Sequence, residues 1–195
     1  MTHSVTSSPI IVTDAACDLP ADMIETYGIH VAPLTILFGQ EALRSGIDIT
    51  PDEFYRRLAE GGVHPTTSQP TPNEFADLYR QLAAEGRPIL SIHLSEGLSG
   101  TVNAARQAAR NVTEVPVTVH DSGTLTSALG LQVMVAARAA QAGYPVEQIL
   151  PMLQHTHETG GMYFTVDDLS YLHRGGRIGS VSYQLGQLLH IKPII

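Results

Sequence analysis

The 195-residue chain is poor in the residues that cross-link proteins and in those that bind polyanions. It has one cysteine, Cys17, so an internal disulfide is excluded and a reducing, cytoplasmic location is expected. Lys192 is the only lysine, and 11 basic residues are outnumbered by 19 acidic ones, which gives a formal net charge of −8. This charge argues against nucleic acid as a partner, because phosphate backbones require a basic protein face.

Long apolar runs are also missing. No stretch of about 18 apolar residues occurs, so the sequence predicts no integral membrane segment. The opening residues, MTHSVTSS, lack the charged-then-apolar layout of a signal peptide. We therefore expect residues 1–8 to form a flexible tail. The 43% hydrophobic fraction suits a globular protein with a sizeable core.

Apolar runs that read as strands alternate with segments that read as helices. This alternation predicts an α/β fold, with a parallel sheet and helices on both of its faces. We expect a first domain at 9–160 and the beginning of a second α/β domain at 161–195. The predicted strands are 9–14, 29–38, 88–95, 115–121, 161–168 and 191–195, and the predicted helices are 19–28, 51–60, 72–85, 101–111, 125–143, 145–158 and 181–189.

Two helix starts share one design. In TPDE (50–53) and TPNE (71–74), threonine stands at the cap, proline at the first helical position and glutamate at the third. This is the pattern of a capping box, in which the threonine and the glutamate satisfy each other's backbone N–H groups. The pattern predicts helices that begin at Pro51 and Pro72.

Two loops carry more hydroxyl side chains than a turn needs. TTSQPT (66–71) lies between two predicted helices and leads into the second of them, whereas LSEGLSGT (94–101) lies between the end of a predicted parallel strand and the helix that follows it. Ligands of open α/β sheets bind at that edge, where helix N-termini offer free N–H groups. Ordinary caps and turns explain part of each cluster, but together they favour one anion site, for a phosphate or a carboxylate. No metal site is expected.

Two other functions stay open at this point. A serine in the 94–101 loop, Ser95 or Ser99, would serve a hydrolase or phosphotransfer enzyme, although neither G-x-S-x-G nor a phosphate-binding glycine motif is present. An interaction module that binds only protein is the other alternative. The segment YLHRGGRIG (171–179) suits a partner contact, because Arg174 and Arg177 flank a glycine pair that would form a tight turn.

Five segments, in order along the chain, resemble signatures of the DegV-like fatty-acid-binding proteins. They are TDAACDLP, TTSQPTPNEF, IHLSEGLSGTVNAA, VHDSGTLTSALGLQV and YLHRGGRIG…LLHIKPII, and they extend from about residue 10 to residue 195. The resemblance implies a two-domain α/β protein with a fatty acid between its domains. It also implies that Thr67 and Ser99 hold the fatty-acid carboxylate. We add Ser68, Ser95 and Gly100, from the same segments, to the predicted ligand-binding set.

The resemblance further implies a carrier rather than an enzyme, with no catalytic residue and no cofactor. Such a carrier presents its fatty acid to a separate kinase subunit, which makes acyl phosphate for phospholipid synthesis, and Arg174 and Arg177 lie on the segment implicated in docking. Two departures are visible. Ala15 stands where the family commonly has serine, and the family's second domain continues beyond IKPI, so a truncated second domain is expected.

Overall fold

The computed structural model describes residues 7–166 and 168–177. The chain divides into two compact units, Met1–Gly160 and Gly161–Ile195. The secondary-structure elements in chain order are β1 (Ile10–Asp14), a 3-10 turn (Ala15–Cys17), α1 (Ala21–Tyr27), β2 (His30–Ala32), β3 (Thr35–Phe38), β4 (Glu41–Arg44), α2 (Pro51–Glu60), β5 (Thr66–Ser68), α3 (Pro72–Ala83), β6 (Ile89–His93), α4 (Thr101–Arg110), β7 (Val117–Asp121), α5 (Thr126–Gln141), α6 (Val146–Thr159) and α7 (Ser170–Arg174).

A four-stranded parallel sheet forms the centre of the first unit, in the order β2-β1-β6-β7. Every residue of β1 and β6 is buried, as expected for central strands with helices on both faces. One face packs against α5 and α6, with α1 at the margin of that layer. The other face packs against α3 and α4. The α/β fold with a parallel sheet between two helix layers is therefore confirmed.

The predicted helix caps are confirmed at both threonines. Thr50 Oγ1 accepts from the Glu53 N–H at 3.3 Å, and Thr71 Oγ1 accepts from the Glu74 N–H at 3.2 Å. Only Thr71 has the full reciprocal box, because Glu53 turns instead to Arg56 and Arg57. Hydrogen bonds from these two arginines lower the pKa of Glu53 to about 2.

The single strand predicted at 29–38 is wrong. Pro33 interrupts it, because proline removes a backbone donor from the ladder, and the chain continues in a different sheet. That second sheet is three-stranded and antiparallel, in the order β4-β3-β5. The segment TTSQPT is therefore not wholly a loop, since Thr66–Ser68 forms the edge strand β5.

The strand predicted at 161–168 is also wrong for the described residues of that stretch, among which Thr165 alone forms a β-bridge. The short helix α7 follows. The helix predicted at 181–189, the strand predicted at 191–195 and most of the predicted tail lie outside the described residues. Of the helices formed by the described residues, none has the length and apolarity needed to cross a bilayer.

Candidate functional site

The loop 94–100 leaves β6 at the carboxyl edge of the parallel sheet and leads directly into α4. Hydrogen bonds to its neighbours fix its start: the Ser95 N–H donates to the Thr124 carbonyl at 2.8 Å, and Asp121 Oδ1 accepts from the Glu96 N–H at 3.3 Å. The loop therefore occupies the edge at which open α/β sheets bind their ligands.

Ser95 shapes the turn within this loop. Its carbonyl accepts from the N–H groups of Leu98 and Ser99 at 3.0 and 3.1 Å, and its Oγ accepts from the Gly97 N–H at 3.2 Å. These three contacts close one compact turn. The orientation of Ser99 consequently depends on the position of Ser95.

Ser99 and Thr101 form a pair of hydroxyls at the entrance to α4. Their oxygens lie 2.9 Å apart, and Ser99 Oγ also accepts from the Thr101 N–H at 3.4 Å. Thr101 is fully buried, whereas Ser99 is half-buried. The N-cap residue of α4 is Gly100, which has no side chain to cap the helix. The Thr101 N–H donates to Ser99 Oγ, and the next two N–H groups of the first turn have no side-chain partner among the described residues, so they can donate to a ligand.

Thr67 lies in the middle of β5, opposite Ile36 of β3, and is exposed. Because side chains alternate along a strand, Thr67 projects from one face of β5, and Thr66 and Ser68 project from the other. The β-branched threonines suit this short edge strand. Thr71, at the end of the same segment, is occupied by the capping box of α3.

Gln69 brings the two polar segments together. A Cβ atom at Gly100 would lie 2.7 Å from Gln69 Nε2 and 3.3 Å from its Cδ, so the Gln69 side chain packs directly over the Gly100 backbone. TTSQPT and LSEGLSGT are therefore neighbours in the fold, as the sequence predicted. Gln69 itself was not predicted as a site residue, and the only signal for it was its place inside the first cluster.

A buried polar chain underlies the site and was also missed. Tyr79 donates its hydroxyl to Ser91 Oγ at 2.8 Å, Ser91 Oγ lies 2.7 Å from His93 Nε2, and His93 Nδ1 lies 2.9 Å from Asp14 Oδ2. All four residues are fully buried. Burial raises the pKa of Tyr79, which keeps its hydroxyl protonated as a donor.

The order Ser91–His93–Asp14 is that of a hydrolase triad, but burial leaves the serine without access to a substrate. The exposed loop has the opposite deficiency. In the described part of the chain, the hydrogen bonds of the Ser95 and Ser99 hydroxyls involve backbone N–H groups and Thr101, and no histidine is bonded to either hydroxyl. The geometry gives no support to a serine nucleophile in the 94–101 loop.

The arginine turn has the predicted local form. The short helix α7 ends at Arg174, Gly175 follows, and Gly176 takes φ +72°, a left-handed conformation that favours glycine. Arg174 and Arg177 are exposed on either side of this pair. At the start of α7, Asp168 accepts from the Ser170 N–H and hydroxyl, and these bonds lower the pKa of Asp168.

Residues 10–195 match the family described as "Uncharacterised protein, DegV family". A DegV domain-containing protein of Deinococcus radiodurans is 40% identical over 185 residues, which make up 95% of this chain and 66% of the relative. A Thermus thermophilus DegV family protein described by its fatty acid binding superposes with a TM-score of 0.87 at 37% identity, over 96% of this chain and 66% of that protein. A stearic acid-binding protein from Eubacterium ventriosum gives a TM-score of 0.86 at 32% identity, with the same shares covered.

This chain thus spans about two thirds of the length of the relatives that it matches. The family match covers both the parallel sheet and the two polar segments at its carboxyl edge. The chain belongs to the DegV family.

Proposed function

We propose that this chain binds a long-chain fatty acid and that the hydroxyls of Thr67 and Ser99 hold its carboxylate. The contact between Gln69 and Gly100 carries the proposal, because it sets the two hydroxyl-rich segments side by side at the carboxyl edge of the sheet. The Thermus and Eubacterium proteins, described as fatty-acid and stearic-acid binders, support the choice of ligand.

The chemistry of the cluster suits a carboxylate. A carboxylate has only acceptor sites, so hydroxyls and backbone N–H groups satisfy it without a lysine. If the Thr101 hydroxyl donates to Ser99 Oγ across their 2.9 Å contact, the Ser99 hydrogen is available for the ligand. Gly100 contributes close backbone approach and the N–H groups of α4 add to the donor set. Ser95 shapes the turn, and Ser68 pairs with Thr35 of β3 in the ladder.

The proposed role is that of a cytoplasmic carrier and not of an enzyme. In this proposed role, the chain binds a fatty acid without a cofactor and presents it to a separate kinase subunit, which forms acyl phosphate for phospholipid synthesis. The exposed Arg174 and Arg177 are the proposed docking residues, since guanidinium groups at a surface corner suit planar, bidentate contacts.

Substitution of the two hydroxyls tests the carboxylate site. Hydrogen bonds to a charged group contribute about 1.5–3 kcal/mol, so Thr67→Val and Ser99→Ala should each weaken fatty-acid binding about tenfold or more. The double variant should lose less than the sum, because both hydroxyls serve one group. Thr66→Val is the matched control: the same chemical change one residue away, on the other face of β5, should leave affinity unchanged.

A fatty alcohol of the same length completes the design, since it should bind weakly and respond little to either substitution. Extraction of the purified protein followed by mass spectrometry identifies any bound acyl chain. Unchanged affinity in both variants would place the carboxylate elsewhere, and a protein free of acyl chains that also fails to take up fatty acid would refute the proposed function.

A further inference from the structure

Asp14 connects the buried polar chain to the candidate site. It is the last residue of β1 and fully buried, and its two oxygens accept three hydrogen bonds. Oδ1 accepts from the Ala16 N–H at 2.9 Å, and Oδ2 accepts from the Leu94 N–H at 3.1 Å while it faces His93 Nδ1 at 2.9 Å. We propose that Asp14 is a positioning residue for the carboxylate site, an inference that rests on the proposed function: it fixes the start of loop 94–100 and thereby the direction of the Ser99 hydroxyl.

Three consecutive backbone groups tether the start of the loop. The His93 carbonyl accepts from the Ser122 N–H at 3.0 Å, the Leu94 N–H donates to Asp14, and the Ser95 N–H donates to the Thr124 carbonyl. The bond to Asp14 thus ties the loop to β1, and the bonds to Ser122 and Thr124 tie it to the segment after β7. The Ser95 carbonyl in turn accepts from the Ser99 N–H at 3.1 Å. Leu94, which donates to Asp14, is therefore connected to Ser99 through a single turn of the polypeptide that begins at Ser95.

The other members of the buried hydrogen-bond series, Tyr79, Ser91 and His93, hold Asp14 in the required orientation. A carboxylate accepts only, so the hydrogen between it and the imidazole belongs to His93 Nδ1. His93 Nε2 then accepts from the Ser91 hydroxyl, which itself accepts from Tyr79. Each donor from Tyr79 to His93 thus has one acceptor. This series of hydrogen bonds ends at Asp14 Oδ2, which also accepts from the Leu94 N–H. The three hydrogen bonds together hold the plane of the Asp14 carboxylate in one orientation.

Asp14→Ala removes the contact to the loop. The alanine methyl group accepts no hydrogen bond, so the Leu94 N–H loses its acceptor, together with the Ala16 N–H and His93 Nδ1. Asp14→Asn would not serve, because its amide oxygen can take the place of Oδ2 and keep the bonds to Leu94 and His93. Thr13→Val is the matched control, because Thr13 is the neighbouring buried residue of β1 and projects from the opposite face of the sheet.

Two measurements on the whole chain read out the effect. We expect the affinity of Asp14→Ala for a fatty acid to fall about tenfold, and its affinity for the alcohol of the same length to change by less than about twofold, because only the carboxylate depends on the loop. Amide hydrogen exchange without ligand should accelerate about tenfold at Leu94, Leu98 and Ser99, and not in the middle of α4. Thr13→Val should change neither measurement.

An equal loss of acid and alcohol binding would show a general structural role and overturn the inference, as would unchanged exchange in the loop. If Asp14→Ala does not fold, the unmodified chain decides: the Leu94 amide should exchange as slowly as the β6 amides, and exchange as fast as that of the exposed Gly97 would overturn the inference. If neither parent nor variant binds fatty acid, the proposed function fails, and the exchange rates alone still test the positioning of the loop.

Discussion

The same substitution, glycine to alanine, should have opposite consequences at Gly130 and at Gly100. A Cβ atom at Gly130 of α5 would lie 2.5 Å from the Cys17 carbonyl oxygen and 3.1 Å from Leu19 Cδ2. The obstacle is backbone, in the turn that follows β1, and it cannot rotate away. At Gly100 the obstacle is the end of the Gln69 side chain, 2.7 Å away, which can move.

These contacts set the expected free energies of unfolding. Overpacking a filled interior costs about 1–3 kcal/mol, and alanine in a helix interior recovers about 1 kcal/mol relative to glycine. The net loss therefore lies between about 0 and 2 kcal/mol, and because the obstacle is backbone we expect Gly130→Ala to lie near the upper end, with a fall in Tm of about 4–8 °C for a chain of this size. Gly100 has φ −75° and ψ 5°, which alanine adopts freely, so displacement of Gln69 is the main cost. Gly100→Ala should stay within about 1 kcal/mol of the parent.

Urea denaturation measures both changes, with an unchanged m-value as the sign that the midpoint shift reports stability. Gly100→Ala should instead weaken fatty-acid binding, and the additional substitution Gln69→Ser should restore it by making room for the new methyl group. If Gly130→Ala left the free energy of unfolding unchanged, α5 and the Ala15–Cys17 turn would have to separate easily, and the predicted backbone clash would be refuted. A Gly100→Ala as unstable as Gly130→Ala would show that Gln69 is held rigidly.

Three further predictions concern a buried hydroxyl, a histidine and the arginine turn. Thr13 Oγ1 is buried without a hydrogen-bond partner among the described residues, so Thr13→Val should raise the free energy of unfolding by about 1 kcal/mol in urea titrations. A lower free energy of unfolding would instead show that the hydroxyl makes a stabilising contact. Burial lowers the pKa of His120 below its usual 6.5, so the unfolded chain binds more protons at this residue and the free energy of unfolding should fall as the pH drops below about 6.5. His120→Gln should flatten this dependence of stability on pH, and an unchanged dependence would assign it to other groups. Arg174→Ala or Arg177→Ala should keep fatty-acid binding and weaken docking of the proposed kinase subunit, whereas Arg110→Ala, a change at another exposed arginine, should affect neither. Loss of fatty-acid binding in the first two variants would place those arginines at the ligand.

Local signals predicted the helices well. The Thr-Pro-x-Glu pattern gave the starts of α2 and α3 to the residue, because a cap is a contact between residues three apart. Gly28 ends α1 in the left-handed conformation that its glycine predicts. The buried strands β1 and β6 are equally evident, since each is a short run of mostly apolar residues between a turn and a helix.

Pairing between distant segments could not be predicted in the same way. Nothing local distinguishes Thr66–Ser68 from a loop, and its strand character comes from a ladder with β3, about thirty residues earlier in the chain. The antiparallel sheet was missed for this reason, and Pro33 was the one local sign that the strand before it ends. The resemblance to a family supplied Thr67 and Ser99, whereas Gln69 and Asp14 depend on contacts that only the fold creates.

The tether between Asp14 and Leu94 joins residues that are 80 positions apart, and this has a consequence for the order of folding. Closure of so long a segment costs entropy that must be offset by the pairing of β1 with β6 and by the burial of both strands. Loop 94–100 therefore acquires its final shape only once that central pair of strands has docked. A chain emerging from the ribosome should thus gain affinity for fatty acid late, as one of the last properties of the completed sheet.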